Sequence, residues 1–198
     1  NPLREAFKQV PEPATRFAGR SGPLKILVVG GSLGAQALND VVPKALALIP
    51  AGQRPQVVHQ SGARQIDALR VNYEAAGVQA ELVPFIDDMA KSYADADLVI
   101  CRAGATTVTE IAAIGAAALF VPFPHAGDDH QTTNAKVLVD QGAGWRIQQR
   151  DLTPERLAEM LQKTERSALV QRALAAKKMQ KIHAVEDVVT ACEELTAR

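Results

Sequence analysis

Short apolar runs alternate with longer segments of helical periodicity along most of this chain. Six runs rich in Val, Ile, Leu and Ala have the length of buried strands. They cover residues 25–29, 56–59, 80–83, 98–101, 118–121 and 144–147. Apolar positions at helical spacing between them predict helices over residues 35–48, 63–76, 89–93, 107–114 and 132–141. Such alternation predicts an α/β fold, a Rossmann-like doubly wound parallel sheet with helices on both faces.

The chain has different patterns before and after this alternation. Residues 1–23 are rich in Pro, Arg and Gly and predict an extended lead-in that acts as a hinge segment. After residue 150 the pattern is helical, with Thr153 as an expected N-cap and Pro154 at the first helical position. Helices are expected near 154–163, 167–181 and 184–196. We therefore expect a lead-in (1–23), a Rossmann-like ligand-binding domain (24–150) and a C-terminal helical tail (151–198).

Composition narrows the possible functions. The 198 residues are 47% hydrophobic, and 22 Lys and Arg are balanced by 22 Asp and Glu. With no net charge to steer a polyanion, no nucleic-acid partner is expected. Cys101 and Cys192 lack metal-ligand spacing, which favours a reducing, cytoplasmic setting. The apolar runs are far shorter than the ~20 residues of a membrane span. Because the chain begins without Met, we expect a processed chain or an excised fragment.

The loop GGSLGA at residues 30–35 follows the first strand. Ligands of parallel sheets bind beyond the carboxyl ends of the strands, where this loop is expected. Its small residues let backbone N–H groups approach an anion, and Ser32 adds a hydroxyl donor. A tight turn without a ligand is the alternative. The loop has neither the Gly-Lys-Ser/Thr of a P-loop nor the GxGxxG spacing of a dinucleotide site, which argues against a nicotinamide or flavin enzyme.

A second such loop lies in CRAGATTVTE, residues 101–110. Thr106 and Thr107 could cap the next helix or bind a phosphate or a sugar. Glu110 could accept both hydroxyls of a ribose, or could simply complement the dipole of a helix start. Two glycine-containing helix N-termini along one sheet edge together favour a diphosphate or a nucleotide sugar.

The third polar loop is PFPHAGDDHQTTNA, residues 122–135. We prefer recognition of sugar hydroxyls by His130 and Gln131 to a metal site, because no second His stands at ligand spacing. Asp128 or Asp129 could instead cap the next helix.

Several other polar or aromatic residues are expected to be structural. Asp95 and Asp97 resemble the metal-binding DxD of some glycosyltransferases, but they precede a strand at the wrong sheet edge and are expected to be solvated. Expected structural roles also apply to His59, His183, Trp145 and Cys101.

Taken together, the motifs resemble those of MurG, a family of bacterial peptidoglycan glycosyltransferases. The matching segments read NPLR, GGSLGA, HQSG, FIDDM, CRAGATTVTE and PFPHAGDDHQTTNA, and they occur in the family's order. The resemblance spans nearly the whole chain. It implies the donor-binding, C-terminal half of a GT-B fold, with a Rossmann-like domain and C-terminal helices. Such enzymes transfer N-acetylglucosamine (GlcNAc) from UDP-GlcNAc to lipid I, making lipid II for cell-wall synthesis.

The resemblance also implies how the enzyme works. Family members invert the anomeric centre, use no cofactor and no bound metal, and act peripherally on the cytoplasmic membrane face. The acceptor site and the general base belong to the N-terminal half, so no catalytic residue is expected in this chain. Lipid I and the membrane would be contacted through that missing half.

Roles at the donor site are carried over by motif. Arg4 resembles the hinge arginine, Phe85 and Ile86 would hold the uracil, and Arg102 would line the same pocket. Glu110 would grip the ribose hydroxyls. Ser32 would bind the diphosphate, and the sugar hydroxyls would be read by His130 and Gln131, where some members carry Gln-Gln. The phosphate and sugar would also meet the helix start formed by Gly104, Ala105, Thr106, Thr107, Val108 and Thr109.

Two other functions remain open. The chain could belong to another GT-B enzyme or to a protein similar to UDP-GlcNAc 2-epimerases. It could also be a non-catalytic module that senses a nucleotide sugar. A preference for a different nucleotide sugar would favour the first alternative. Transfer activity that appears when the missing half is added would exclude the second.

Overall fold

A computed structural model of the chain describes residues 3–31, 34–124 and 129–181. Ser32, Asp128, Cys192, His183 and the helix expected over 184–196 lie outside the described residues. A six-stranded sheet has the order β3-β2-β1-β4-β5-β6, with every neighbouring pair parallel. Its strands are β1 Lys25–Val29, β2 Gln56–Gln60, β3 Glu81–Val83, β4 Leu98–Cys101, β5 Ala118–Phe120 and β6 Gly144–Arg146. The expected Rossmann-like doubly wound fold is confirmed.

Helices connect the strands and pack on both faces of the sheet. They are α1 Glu5–Lys8, α2 Pro13–Phe17, α3 Gln36–Ala47, α4 Ile66–Ala76, α5 Met89–Asp95, α6 Ala105–Ile114, α7 His130–Val139, α8 Pro154–Lys163 and α9 Arg166–Lys178. Predicted and observed helix ends differ by at most three residues, and both ends of α8 agree. As expected, Gly77 and Gly115 end α4 and α6 in the left-handed conformation, and Thr153 caps α8 by accepting from the N–H of Arg156.

Apolar side chains of the strands supply two cores, one on each face. In β1, Ile26 and Val28 face one cluster while Leu27 and Val29 face the other, as the two-residue period of a strand requires. The first cluster is closed by α3, α4 and α8, and the second by α5, α6 and α7. The expected structural roles of two residues are confirmed. Cys101 is fully buried, and the guanidinium of Arg172 stacks 3.7 Å from the ring centre of Trp145.

The expectation of an extended lead-in is wrong. Residues 5–8 and 13–17 form the short helices α1 and α2, and each buries a phenylalanine in a core. Phe7 is 1% exposed and Phe17 is 7% exposed. The lead-in is therefore part of the folded domain, because these two aromatic side chains fill the cores.

Asp97 is not a solvated turn residue, as we had expected from the sequence. Its carboxylate is 1% exposed and pairs with Arg20 at 2.8 Å and with Arg166 at 3.1 Å. It also accepts from the backbone N–H of Lys25 at 2.9 Å. Burial alone would raise the pKa of Asp97, but these donors outweigh it and lower that pKa. Asp95 does follow the expectation, since it is exposed and pairs with Lys91.

The tail helices pack on the sheet domain. Leu157 and Leu161 of α8 enter the first core against α3, and α9 packs on α2 and α6. Among the described residues, no helix is long and apolar enough to cross a membrane.

Candidate nucleotide-sugar site

The polar loops meet where the strand order reverses. β1 and β4 are neighbours in the sheet, but the chain leaves them in opposite directions, toward β2 and toward β5. Such a switch point opens a crevice at the carboxyl ends of the two strands, and ligands of doubly wound sheets bind there. A cleft of about 720 Å³ lies at this point, lined by residues that include Gly31, Gly34, Arg102, Gly104, Thr107 and Gln131.

The glycine loop after β1 has no room for a side chain at Gly30 and at Gly34. Gly34 has φ +76°, and a Cβ atom at this position would collide with the carbonyl oxygen of Ser61. A Cβ atom at Gly30 would collide with the backbone N of Ala35. The loop therefore lies directly on the turn that follows β2, and its backbone forms one wall of the cleft.

A buried polar network holds that second turn. His59 contacts the Tyr73 hydroxyl through Nδ1 and Asn39 Oδ1 through Nε2, both at 3.0 Å. The amide nitrogen of Asn39 donates to Gln65 Oε1 at 2.7 Å, so its oxygen must accept. His59 therefore carries its proton on Nε2 and accepts at Nδ1. The expected structural role of His59 is confirmed, with partners that the sequence did not reveal.

This network predicts a loss of stability in acid. Burial lowers the pKa of His59 from 6.5 to about 3. Between those values the unfolded chain binds a proton at His59 that the folded chain does not. The free energy of unfolding should therefore fall as pH drops below 6.5, by up to ~1.4 kcal/mol per pH unit from this group. Urea unfolding at pH 7 and pH 5 measures it. In His59→Gln this contribution should vanish, and an unchanged pH dependence in that variant would contradict the assignment.

The loop after β4 leads into the N-terminus of α6 at the cleft. Gly104 is the N-cap residue and, among the described residues, no side chain caps this helix. Capping by Thr106 or Thr107, one of the two roles considered for them, is therefore not observed. Thr106 is exposed, and Thr109 donates to the Ala105 carbonyl at 2.9 Å. An uncapped helix start offers backbone N–H groups and the positive end of the dipole to an anion.

Glu110 lies in the second turn of α6, because the helix begins two residues earlier than predicted. Dipole effects fade beyond the first turn, which weakens the alternative that Glu110 only complements the helix start. Its side chain is 11% exposed, and its carboxylate accepts from Arg4 Nη2 at 3.1 Å. Burial raises the pKa of Glu110, while the hydrogen bond and the positive charge of Arg4 oppose the rise.

Gln131 and Arg102 join the loops that follow β4 and β5. Gln131 Oε1 accepts from the backbone N–H groups of Ala103 at 3.1 Å and Phe123 at 3.0 Å. Arg102 donates to the Val121 carbonyl at 3.0 Å and to Gln149 Oε1 at 2.6 Å. Since the Gln131 oxygen is already engaged, a sugar hydroxyl would have to meet its amide nitrogen.

Other expected site residues are not part of the lining of the cleft, among them Arg4, Glu110, Phe85, Ile86 and His130. Phe85 is 61% exposed on the loop after β3, and Ile86 packs against the second core. His130 is exposed as the first residue of α7. Asp129 occupies the N-cap position of α7 at φ 51° but makes no side-chain cap there.

Sequence reasoning missed three polar residues that shape the cleft. The Gln60 amide donates to the carbonyls of Gly31 at 3.0 Å and Pro84 at 3.2 Å. Asn134 donates to the Ala103 carbonyl, and Gln149 accepts from Arg102. A signal was present for Gln60 and Asn134, since both stand inside the quoted motifs, whereas Gln149 had none. No group of three metal-ligating side chains occurs in the described part of the chain.

Comparison with known proteins agrees with this geometry. Residues 25–190 match the model of the glycosyltransferase family 28 C-terminal domain. A UDP-N-acetylglucosamine--N-acetylmuramyl-(pentapeptide) pyrophosphoryl-undecaprenol N-acetylglucosamine transferase of Polaromonas sp. is 73% identical over 98% of the chain and 50% of its own length. The protein of the same name from Paracidovorax citrulli is 70% identical over 100% of the chain and 56% of its length.

Among solved structures, Acinetobacter baumannii MurG superposes with a TM-score of 0.88 at 41% identity, over 95% of the chain and 55% of that protein. The chain thus spans about half the length of the relatives it matches. The resemblance to MurG expected from the motifs is confirmed. With its six parallel strands, its switch-point cleft and a family match over residues 25–190, the chain belongs to the glycosyltransferase family 28 C-terminal domain family.

Proposed function

We propose that this chain is the donor-binding half of an inverting glycosyltransferase and binds UDP-GlcNAc in the switch-point cleft. One observation carries the proposal. An uncapped helix start for a diphosphate and a buried carboxylate for a ribose stand on the same helix, α6. Gly104 and Glu110 lie six residues, about 9 Å of helix rise, apart. The diphosphate and the ribose of one nucleotide can therefore reach both.

The chemistry of transfer fits these groups. When the sugar leaves, negative charge develops on the diphosphate of UDP. Preorganised N–H donors at the start of α6 and in the glycine loop stabilise that charge without a metal ion. Polar groups near the sugar would reject a wrong hexose by leaving hydrogen bonds unmade. In this role, His130 and the Gln131 amide nitrogen would face the sugar hydroxyls, and Phe85 with Ile86 would hold the base.

The remaining steps of the reaction would be carried out by the part of the relatives that this chain does not cover. We propose that lipid I is the acceptor and that it binds, with the general base, on a segment outside this chain. The proposed place of action is the cytoplasmic face of the membrane, where the product would enter peptidoglycan synthesis. The name of the relatives, which describes transfer to a pyrophosphoryl-undecaprenol acceptor, supports this assignment.

Calorimetric titration of the chain with UDP-GlcNAc tests the proposal. We expect saturable binding of UDP-GlcNAc, weaker binding of UDP-glucose and no binding of NAD, because the cleft lacks the dinucleotide fingerprint. Circular dichroism verifies that the sample is folded. A preference for UDP-glucose would favour another UDP-sugar enzyme, and absence of binding by a folded sample would contradict the proposal.

A further inference from the structure

The side chain of Gln60 connects two loops of the cleft region. Gln60 is the last residue of β2, and its backbone pairs with Val29 of β1 and Val83 of β3. Its amide nitrogen donates to the Gly31 carbonyl at 3.0 Å and to the Pro84 carbonyl at 3.2 Å. The first acceptor belongs to the glycine loop after β1, and the second begins the loop after β3. One side chain therefore holds both loops against the strand that lies between them.

The orientation of the Gln60 amide is determined by its two partners. Both are carbonyl oxygens, which only accept hydrogen bonds, so the amide nitrogen must face them. A flipped amide would bring three oxygen atoms together. The amide oxygen is buried and, within the described part of the chain, has no hydrogen-bond partner. Gln60 as a whole is 3% exposed, so bulk water does not solvate that oxygen.

This unpaired oxygen distinguishes Gln60 from an ordinary core residue. A buried acceptor without a donor destabilises a fold, and native proteins contain few of them. An apolar side chain of equal length would fill the same space without an unpaired oxygen. The two donated hydrogen bonds are what such a side chain could not supply. Local departures from good packing chemistry are expected at functional sites.

We infer that Gln60 is a positioning residue for nucleotide binding: it fixes the position of the loop that receives the diphosphate relative to the loop that receives the base. The inference rests on the proposed function, which assigns the diphosphate to the glycine loop and α6 and the base to Phe85 and Ile86. Phe85 directly follows Pro84. A ligand that spans both loops gains from their fixed arrangement, because binding does not have to order one loop relative to the other. A ligand that contacts only one loop gains nothing from it.

Each loop also has contacts that do not involve the Gln60 side chain. Within the glycine loop, the N–H of Gly34 donates to the same Gly31 carbonyl at 2.9 Å. At the end of β3, the Val83 carbonyl accepts from the N–H of Ser61 at 3.0 Å. Removing the Gln60 amide should therefore leave both loops formed and loosen only their relative position.

The test is Gln60→Met, which keeps an unbranched side chain of similar length and removes both the donor and the unpaired oxygen. Calorimetry and NMR titration measure the Kd of UDP and the Kd of uridine, which lacks the diphosphate. We expect UDP to bind roughly tenfold more weakly, the scale of one or two hydrogen bonds, and the Kd of uridine to change by less than about twofold. The urea midpoint should stay close to that of the wild type, because the lost hydrogen bonds are offset by removal of the unpaired oxygen.

Gln56→Met is the matched control. Gln56 lies on the same face of β2, since it is four residues away, and it is exposed at the other end of the strand. Neither Kd should change in that variant.

A measurement on the wild-type protein decides the inference even if Gln60→Met fails to fold. The Gln60 side-chain amide is labelled with nitrogen-15 and assigned through its own backbone. We expect its protons to exchange slowly with solvent in the free protein and its resonances to shift when UDP binds. Fast exchange in the free protein, or resonances that UDP does not shift, would overturn the positioning role.

The outcomes separate the inference from the proposed function. If the wild type binds UDP and Gln60→Met weakens UDP and uridine by the same factor, or weakens neither, the positioning role is wrong and the proposed function stands. If the wild type is folded and does not bind UDP, the proposed function fails, and the role of Gln60 toward a nucleotide fails with it.

Discussion

Replacing Glu110 by Ala is expected to weaken the binding of UDP by at least roughly 100-fold and to leave the fold intact. Two hydrogen bonds from ribose hydroxyls to a carboxylate are lost, and hydrogen bonds to charged groups contribute ~1.5–3 kcal/mol each. Removing the carboxylate leaves Arg4 without this partner, but its guanidinium is largely exposed and remains solvated. Calorimetric Kd values and the urea midpoint of both proteins measure the two effects.

Two controls isolate the ribose contact. Glu74→Ala removes an exposed carboxylate on α4 and should not change the Kd of UDP. A UDP analogue without the 2′- and 3′-hydroxyls should bind the wild type and Glu110→Ala with similar affinity. An undiminished affinity of Glu110→Ala for UDP itself would refute the ribose role.

Gly34→Ala should lower the free energy of unfolding by about 3 kcal/mol, among the larger effects seen for single substitutions. The new Cβ would collide with the Ser61 carbonyl oxygen, which is part of the backbone and cannot simply rotate away. The left-handed backbone at φ +76° adds strain for any L side chain. Because the glycine loop must move to relieve the contact, UDP binding should weaken as well. Urea unfolding and calorimetry measure both losses.

The chain offers a matched control for the steric part. Gly22 has nearly the same backbone angle, φ +75°, but a Cβ atom there would have nothing within 4 Å. Gly22→Ala should therefore cost only the conformational strain of ~1–2 kcal/mol and should not affect UDP binding. Equal destabilisation of the two variants would show that the Ser61 contact contributes nothing.

The sheet could be predicted closely from the sequence because its strands are continuous apolar runs. β1 and β4 have the predicted ends, and α4 and α6 end at the predicted left-handed glycines. The lead-in helices could not be recognised, since their stability comes from burying Phe7 and Phe17 and not from periodicity. The burial of Asp97 could not be predicted either, because its partners Arg20 and Arg166 are 77 and 69 residues away in the sequence.

The position of the candidate site could be predicted from the sequence more accurately than the contacts within it. Motif spacing placed Gly104 and Gln131 at the correct sheet edge, and both line the cleft. It could not show that the oxygen of Gln131 accepts from two backbone N–H groups, or that Arg4 pairs with Glu110. Such networks depend on side-chain directions that only the packed fold determines. The roles toward base, phosphate and sugar remain predictions.

The burial of Asp97 has a consequence for dissecting this domain. One carboxylate joins the lead-in through Arg20, the first strand through Lys25 and the tail through Arg166. Cutting the chain at residue 24 or at residue 151 would leave the buried Asp97 carboxylate without one of its two arginine partners. Such a change commonly lowers the free energy of unfolding by about 3–5 kcal/mol. We therefore expect the lead-in, the sheet and α9 to unfold as one cooperative unit, and hydrogen exchange should report a common opening energy across all three.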